Sequence, residues 1–286
     1  LELELVLFGE TSIEWWQDTG GEDFPLTRVH AVEIGCLAAD SVAKVDTPAR
    51  KTLIWVAPDH TVRQMAGYSG SVISTNEIEK LIKDLHVAGE ISTLKGFAWA
   101  DAGRFFYALT CDRWSRVYDG KTGHWHARKS YNMDRWRVSS VVQFGNQLIA
   151  GDYVTGQLYV MSDAYNTEAG NHLVAEVISP SVHAFPYRLQ LNALYIDAAR
   201  GVGLNTTDVH ASDPKLLISI SKDSGASWSA ERERPLGALG QSAKRIPPIY
   251  RMGQTGQHGA QIRTRISAPV ERVWMGMALD YDKLSV

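Results

Sequence analysis

Apolar residues in this chain come in short runs, and turn residues close nearly every one. Leu3 to Phe8, Thr52 to Ala57, Arg104 to Thr110, Ser115 to Tyr118, Val138 to Phe144, Gln147 to Gly151, Gln157 to Met161, Leu189 to Asp197, Lys215 to Ile220, Ile262 to Ser267 and Val273 to Leu279 are rich in β-branched and aromatic residues. Gly, Asp, Asn or Pro bound most of them, the pattern of strands joined by tight turns. A chain cut this way buries its apolar faces only by packing many small sheets. One segment differs. Ser74-Thr75-Asn76-Glu77 has the form of a capping box, and Ile78, Leu81, Ile82 and Leu85 follow at i, i+3, i+4, i+7. This spacing predicts a helix over 75–86, packed on one side of the β structure.

Three turns echo one another. Tyr118 to Trp125, Gly151 to Tyr159 and Ser221 to Trp228 each place an Asp after a strand, then a Gly, then an aromatic residue. In such a turn the Asp accepts from backbone N–H groups two residues on, and Gly takes positive φ at low cost. The aromatic is expected to anchor the returning strand in the core. Repeated hairpins of this kind predict an all-β fold: a β-propeller-like array of small antiparallel sheets with one short helix near 75–86, in a single domain over 1–286.

Composition narrows the function classes. With 286 residues, 44% of them hydrophobic, the chain buries a sizeable core and is not of the disordered class. No apolar run approaches the roughly 20 residues of a membrane helix, so no membrane partner is expected. Cys36 and Cys111 are the only cysteines. They exclude a small disulfide scaffold, read as buried inert thiols, and fit assembly in a reducing cytosol. Net charge is −3, from 29 basic and 32 acidic residues, but the distribution is uneven. Residues 1–25 carry seven acids and no Lys or Arg. Residues 104–137 carry eight bases against three acids, and 244–272 carry six against one. Opposite-sign stretches of this kind suit contacts between subunits, or a surface facing DNA.

Catalytic motifs are thin. There is no nucleophile elbow, phosphate-binding loop or His-Glu-x-x-His pattern. His124 and His126, at i, i+2, would share one face of a strand, but no third ligand accompanies them, and no cofactor or metal is expected. Asp280 and Asp282 read as solvated residues of the C-terminal tail. Ser221, Asp223, Gly225 and Trp228 match the Asp-box pattern of sialidases and other propellers, with Ser227 in place of Thr. That box is a structural turn remote from chemistry. Arg245-Ile246-Pro247 resembles the sialidase Arg-Ile-Pro but follows the Asp box instead of preceding it. Sialidase chemistry also needs three converging arginines and a Tyr–Glu pair, which nothing here marks. Trp15, Trp16, Trp114, Trp125, Trp136 and Trp228 fall near strand ends and turns and are expected mostly in the core. Arg135-Trp136-Arg137 alternates charge and aromatic on an expected strand. It is the best candidate for an interface hot spot, where Trp and Arg are enriched.

A family resemblance emerges from blocks in order. Phe8-Gly9-Glu10-Thr11-Ser12-Ile13-Glu14-Trp15-Trp16, closed by Thr19-Gly20, is followed by Gly35-Cys36-Leu37-Ala38 and Ser41-Val42-Ala43. Then come Ser74 to Ile82, Val117-Tyr118-Asp119 with Trp125, Ser221 to Trp228, Arg251-Met252-Gly253 and Arg265 to Val270. Together they resemble the tail hub, or packaged-DNA stabilisation, proteins of short-tailed phages. The resemblance implies a non-enzymatic, cofactor-free virion protein of the tail, assembled in the host cytoplasm. It would be a β-propeller subunit of a ring beneath the portal and adaptor, holding packaged DNA and attaching tail needle and tailspikes. The implied oligomer is a ring in the virion, with a monomer as the free form and non-specific DNA contact along the channel. The family pattern is longer at the N-terminus and this chain opens Leu1-Glu2-Leu3 without Met, so an N-terminally truncated copy is expected. Two other readings stand beside it: a sialidase-like glycoside hydrolase propeller, marked by hydrolysis of sialosides, and a cellular propeller serving as an interaction platform, marked by metabolic gene neighbours.

Overall fold

A computed structural model describes residues 4–47, 50–243 and 245–284. The chain divides into two compact units, Leu1–Ser162 and Asp163–Val286, each considered by itself.

The first unit is a succession of four antiparallel meanders. β1 (Glu4–Phe8), β2 (Ile13–Asp18) and β3 (Leu26–Val32) form the first sheet. β4 (Ala43–Thr47), β5 (Arg50–Val56), β6 (Val62–Ala66) and β7 (Ser69–Val72) form the second. After α1 (Asn76–Val87) come β8 (Lys95–Asp101), β9 (Arg104–Thr110), β10 (Ser115–Asp119) and β11 (His124–Ala127) in the third. β12 (Val138–Phe144), β13 (Gln147–Asp152) and β14 (Leu158–Met161) make the fourth. Within every sheet, strands adjacent in sequence are adjacent in space.

The cores lie between consecutive sheets, and the sequence parity of two strands shows how. On β5, Leu53 and Trp55, with Ala57 just beyond, pack with Ile13, Trp15 and Phe8 of the first sheet. The alternate residues Ile54 and Val56 pack the other way, with α1 and with Phe105, Tyr107 and Leu109 of β9. β9 repeats the arrangement, since its Phe106 and Ala108 turn to Trp136, Val138 and Ala150 of the fourth sheet. Side chains alternate across a strand, so a strand apolar at every position is one buried on both faces. That is why Thr52 to Ala57 and Arg104 to Thr110 are continuous apolar runs and not alternating ones. Tyr107 is fully buried. Its hydroxyl donates to the Ser41 carbonyl at 2.8 Å, and burial drives its phenol far above the usual tyrosine range. Gly96 leaves the space for this contact: a Cβ there would lie 2.3 Å from the Ser41 oxygen.

The helix forms one residue later than expected, with Ile78, Ile82 and Leu85 buried and Leu81 packed against the same core. The expected capping box is absent. Thr75 is the N-cap and makes no side-chain cap bond. The Ser74 hydroxyl instead accepts from Val62 N–H (3.1 Å) and donates to Glu79 (2.8 Å), tying the helix start to β6.

The second unit contains β15 (Thr167–Glu168), β16 (Asn171–His172), β17 (Ala175–Ile178), β18 (Leu189–Ala198), α2 (Val209–Ser212), β19 (Lys215–Ser221), β20 (Arg232–Pro235), β21 (Ile249–Gln254), β22 (Gln261–Ile266) and β23 (Trp274–Lys283). Beyond the β15–β16 hairpin there are two sheets, ordered β17-β22-β19-β20 and β21-β18-β23. They share one core that includes Leu189, Leu191, Leu194, Ile196, Leu216, Ile218, Ile262 and Ile266. The inward residues of β18 switch from odd to even numbers between Leu191 and Leu194. The pairings with β21 and β23 both shift register there. A bulge adds one residue, which keeps the later apolar positions on the core face instead of flipping them to solvent.

Ile54→Ala removes a side chain shared by the second and third sheets and should lower unfolding free energy by about 2–5 kcal/mol. Val142→Ser, at an exposed site, should change it by no more than about 0.5 kcal/mol. Urea unfolding curves of the two variants make the comparison.

Candidate functional site

Arg135-Trp136-Arg137 does not lie on a strand. The run immediately precedes β12 and turns inward. Trp136 is 5% exposed and packs beside Phe97 and Trp99, with the Arg128 guanidinium 4.7 Å from its ring centre. Arg135 is 7% exposed. It donates from Nε to the Trp136 carbonyl (3.1 Å) and covers the Tyr153 ring at 3.9 Å. Arg137 donates to Asp152 Oδ2 at 2.6 Å, and Asp152 also accepts from Val154 N–H (3.0 Å) and the Thr155 hydroxyl (2.6 Å). The Arg137 bond is the main reason that the Asp152 carboxyl is held well below the usual carboxylate range. The alternation that looked like a surface-facing strand is thus an internal brace. It locks the start of β12 to the turn after β13.

The three aspartate turns form as the sequence implies, but their aromatics are less buried than expected. Asp119 accepts from Lys121 N–H at 2.8 Å. Trp125 is half-buried and donates from Nε1 to the Ile73 carbonyl at 2.7 Å. In the Asp-box turn, the Ser221 hydroxyl donates to Asp223 (2.7 Å) and accepts from Gly225 N–H (2.7 Å). Asp223 accepts from Ser227 N–H (2.8 Å), and Gly225 sits at φ +96°. The Ser227 hydroxyl, with these partners, draws the Asp223 carboxyl down to about 2. Ser227 therefore does the work of the usual Thr. Trp228 is only half-buried, beneath the Arg263 guanidinium at 4.5 Å. A cation over an indole face satisfies it where core burial was expected. Trp15 and Trp114 are buried as expected, while Trp16 is half-buried.

Much of the basic charge is satisfied within each unit. In 104–137, Arg113 pairs with Glu90, Arg116 with Glu77, Lys129 with Asp134, Arg135 with Asp112 and Arg137 with Asp152. In 244–272, Arg265 reaches Glu176 and Glu231, and Arg272 donates to the Asn166 and Ala268 carbonyls. On the acidic stretch, Glu14 pairs with Arg28 at 2.9 Å. Cys36 and Cys111 are buried free thiols whose pKa burial raises. His124 and His126 sit exposed on β11, and His126 Nε2 accepts from Arg128 at 3.3 Å. Asp280 and Asp282 lie on β23 instead of in a free tail, and Asp282 accepts from Asn192 at 2.9 Å.

A cavity of about 360 Å³ opens in the first unit among Glu10, Glu33, Gly35, Pro58, Asp59 and Arg63. Its one arginine is already paired with Asp59 at 2.6 Å. A carboxylate-rich lining with a committed guanidinium does not suit a carboxylate sugar.

Sequence reading missed two apolar sheet faces. On the fourth sheet, Val142, Ile149 and Val160 align in one cross-strand row. Val142 (62%), Phe144 (78%) and Leu158 (73%) are exposed. On the first, Leu5 is exposed and pairs with Trp16, and Leu7 is exposed beside Glu14. The signal was present in Leu5-x-Leu7, Val142-x-Phe144 and Leu158-x-Val160, each an apolar pair at strand spacing.

These features define a mainly β protein whose first unit packs antiparallel sheets in series, and whose charged and aromatic clusters mainly brace its own fold. A family model described as bacteriophage P22 Gp10, β-propeller, of the phage stabilisation class, matches residues 1–166, more than half of the chain. The chain belongs to that family of phage structural proteins. The match ends at residue 166, four past the boundary of the first unit at 162 (166 − 162 = 4). No curated protein matches the chain. A solved structure described as a glycoside hydrolase is similar over 97% of this chain and 67% of its own, at 11% identity and a TM-score of 0.24. Likeness at that level carries no functional argument.

Asp152→Ala removes the carboxylate to which Arg137, Val154 N–H and Thr155 donate and should destabilise the protein by about 3 kcal/mol in urea unfolding. Asp223 has its pKa lowered on folding, so its stabilisation is present above about pH 4 and is lost as pH falls toward 2. Asp223→Asn should therefore flatten the acid limb of a stability–pH curve in that window and leave the limb above pH 5 unchanged in slope.

Proposed function

We propose that this chain is a subunit of the tail hub of a short-tailed phage, placed beneath the portal and adaptor, where it retains packaged DNA and carries needle or spikes. Membership of the Gp10 family supports this reading. So does the shape of the first unit: stacked sheets whose two outer faces expose Leu5, Leu7, Val142, Phe144 and Leu158, as expected of a part that is completed by other protein surface. The role is one of surface complementarity, without a chemical step or cofactor. In this reading the interfaces are mainly apolar and shape-determined, because most bases of 104–137 already have internal partners.

Light-scattering mass measured alone and with the purified portal–adaptor complex of the same phage tests it. The expected result is a protein that joins the complex at a fixed ring stoichiometry. Affinity should fall less than about tenfold between about 50 and 200 mM salt, where a contact neutralising many phosphates would lose far more. A chain that ignores the complex contradicts the hub role, and turnover of a sialoside substrate would contradict a purely structural one.

A further inference from the structure

The first unit brings two histidines together outside the braces and faces described above. His60, in the β5–β6 turn, and His86, in the last turn of α1, meet with Nε2 of one 2.9 Å from Nδ1 of the other. Their rings are 5.2 Å apart and tilted by 50°. His60 holds a left-handed backbone (φ +66°), which few residues other than Gly adopt. Both side chains are reachable from solvent. The two nitrogens form one N–H···N hydrogen bond, and two cis ligands of a metal ion span a similar distance. With each nitrogen about 2.05 Å from the metal, cis ligands lie roughly 2.9 Å apart at a right angle and roughly 3.3 Å apart at the tetrahedral angle.

The other histidine pairs lack this arrangement. His126 Nε2 is occupied by the Arg128 guanidinium, and His210 Nε2 by the Ser267 hydroxyl. Neighbouring carboxylates are committed too: Asp59 to Arg63 and Thr61, Glu90 to Arg113. Among the described residues no group of three or more His, Cys, Asp or Glu is placed to hold a metal, so water would complete the coordination.

We infer that His60 and His86 form a two-histidine site for a late first-row divalent ion, Cu²⁺ in preference to Zn²⁺. Paired imidazoles with open positions favour that order, and a near-right-angle separation suits tetragonal copper. The ion takes the place of the hydrogen-bonded proton and clips the β5–β6 turn to the end of α1.

The test is calorimetric titration of the full chain with CuCl₂ and with ZnCl₂ at pH 7.5, with copper EPR on the parent protein. One equivalent of Cu²⁺ is expected, bound at least tenfold more tightly than Zn²⁺, with two equatorial nitrogens in the EPR spectrum. His60→Asn, which keeps a residue tolerant of positive φ, and His86→Gln, on an exposed helix face, should each weaken Cu²⁺ at least tenfold while the metal-free melting temperature stays unchanged. An EPR spectrum without two nitrogens, or variants that bind within tenfold of the parent, overturns the assignment.

Discussion

Two strands apolar on both faces hold the first unit together. β5 sends Leu53 and Trp55 to one core and Ile54 and Val56 to the next, and β9 does the same with its odd and even residues. Neither strand is stable unless a sheet covers it on each side, so the sheets cannot fold as independent hairpins. The cost of exposing a strand like β9 is what makes the series cooperative. It also explains what happens at the two ends. The first and fourth sheets each have one face covered by a neighbour and one face carrying Leu5 and Leu7, or Val142 and Phe144, outward. A structural subunit with such ends is suited to be completed by other protein, which joins the packing rule of the fold to the assembly role.

The polar groups follow from the same rule. Where sheets meet at their rims, charges are drawn inward and must be paired. Arg137 with Asp152, and Arg135 over Tyr153, brace the start of β12 to the turn after β13, and Arg135 with Asp112 reaches the β9–β10 turn of the third sheet. A buried pair of this kind is strongly destabilising when broken, while contributing little to net stability when whole. Five of the eight bases in 104–137 already pair with acids of the same unit.

The second unit solves the burial problem differently. Its sheets pair strands far apart in sequence, as in β17 with β22, and a bulge in β18 preserves the inward face of one long strand. The change of construction falls close to where the Gp10 match ends. Local patterns made the strands legible: β9 and β12 have the bounds expected from composition alone, and the helix differs by one residue. What local patterns cannot carry is long-range pairing, which depends on partners 80 or more residues away. The same limit explains why Arg135-Trp136-Arg137 was expected on a strand and is found before one. Arg135-Trp136-Arg137 resembles an exposed strand because charge flanks an aromatic, yet its partners Asp112, Tyr153 and Asp152 come from other turns. Ser74 has the identity of a cap but is claimed by the β6 backbone. The end faces were readable in principle as second apolar stripes, but continuous core strands such as β5 mask that signal.

Membership of a phage structural family makes this chain a built-in part of the phage particle. Quantitative mass spectrometry of gradient-purified particles of the parent phage tests it most directly. A fixed copy number per particle, equal between preparations and retained after a salt wash, is the predicted result. Absence from purified particles, with the protein abundant in the infected-cell lysate, would contradict it.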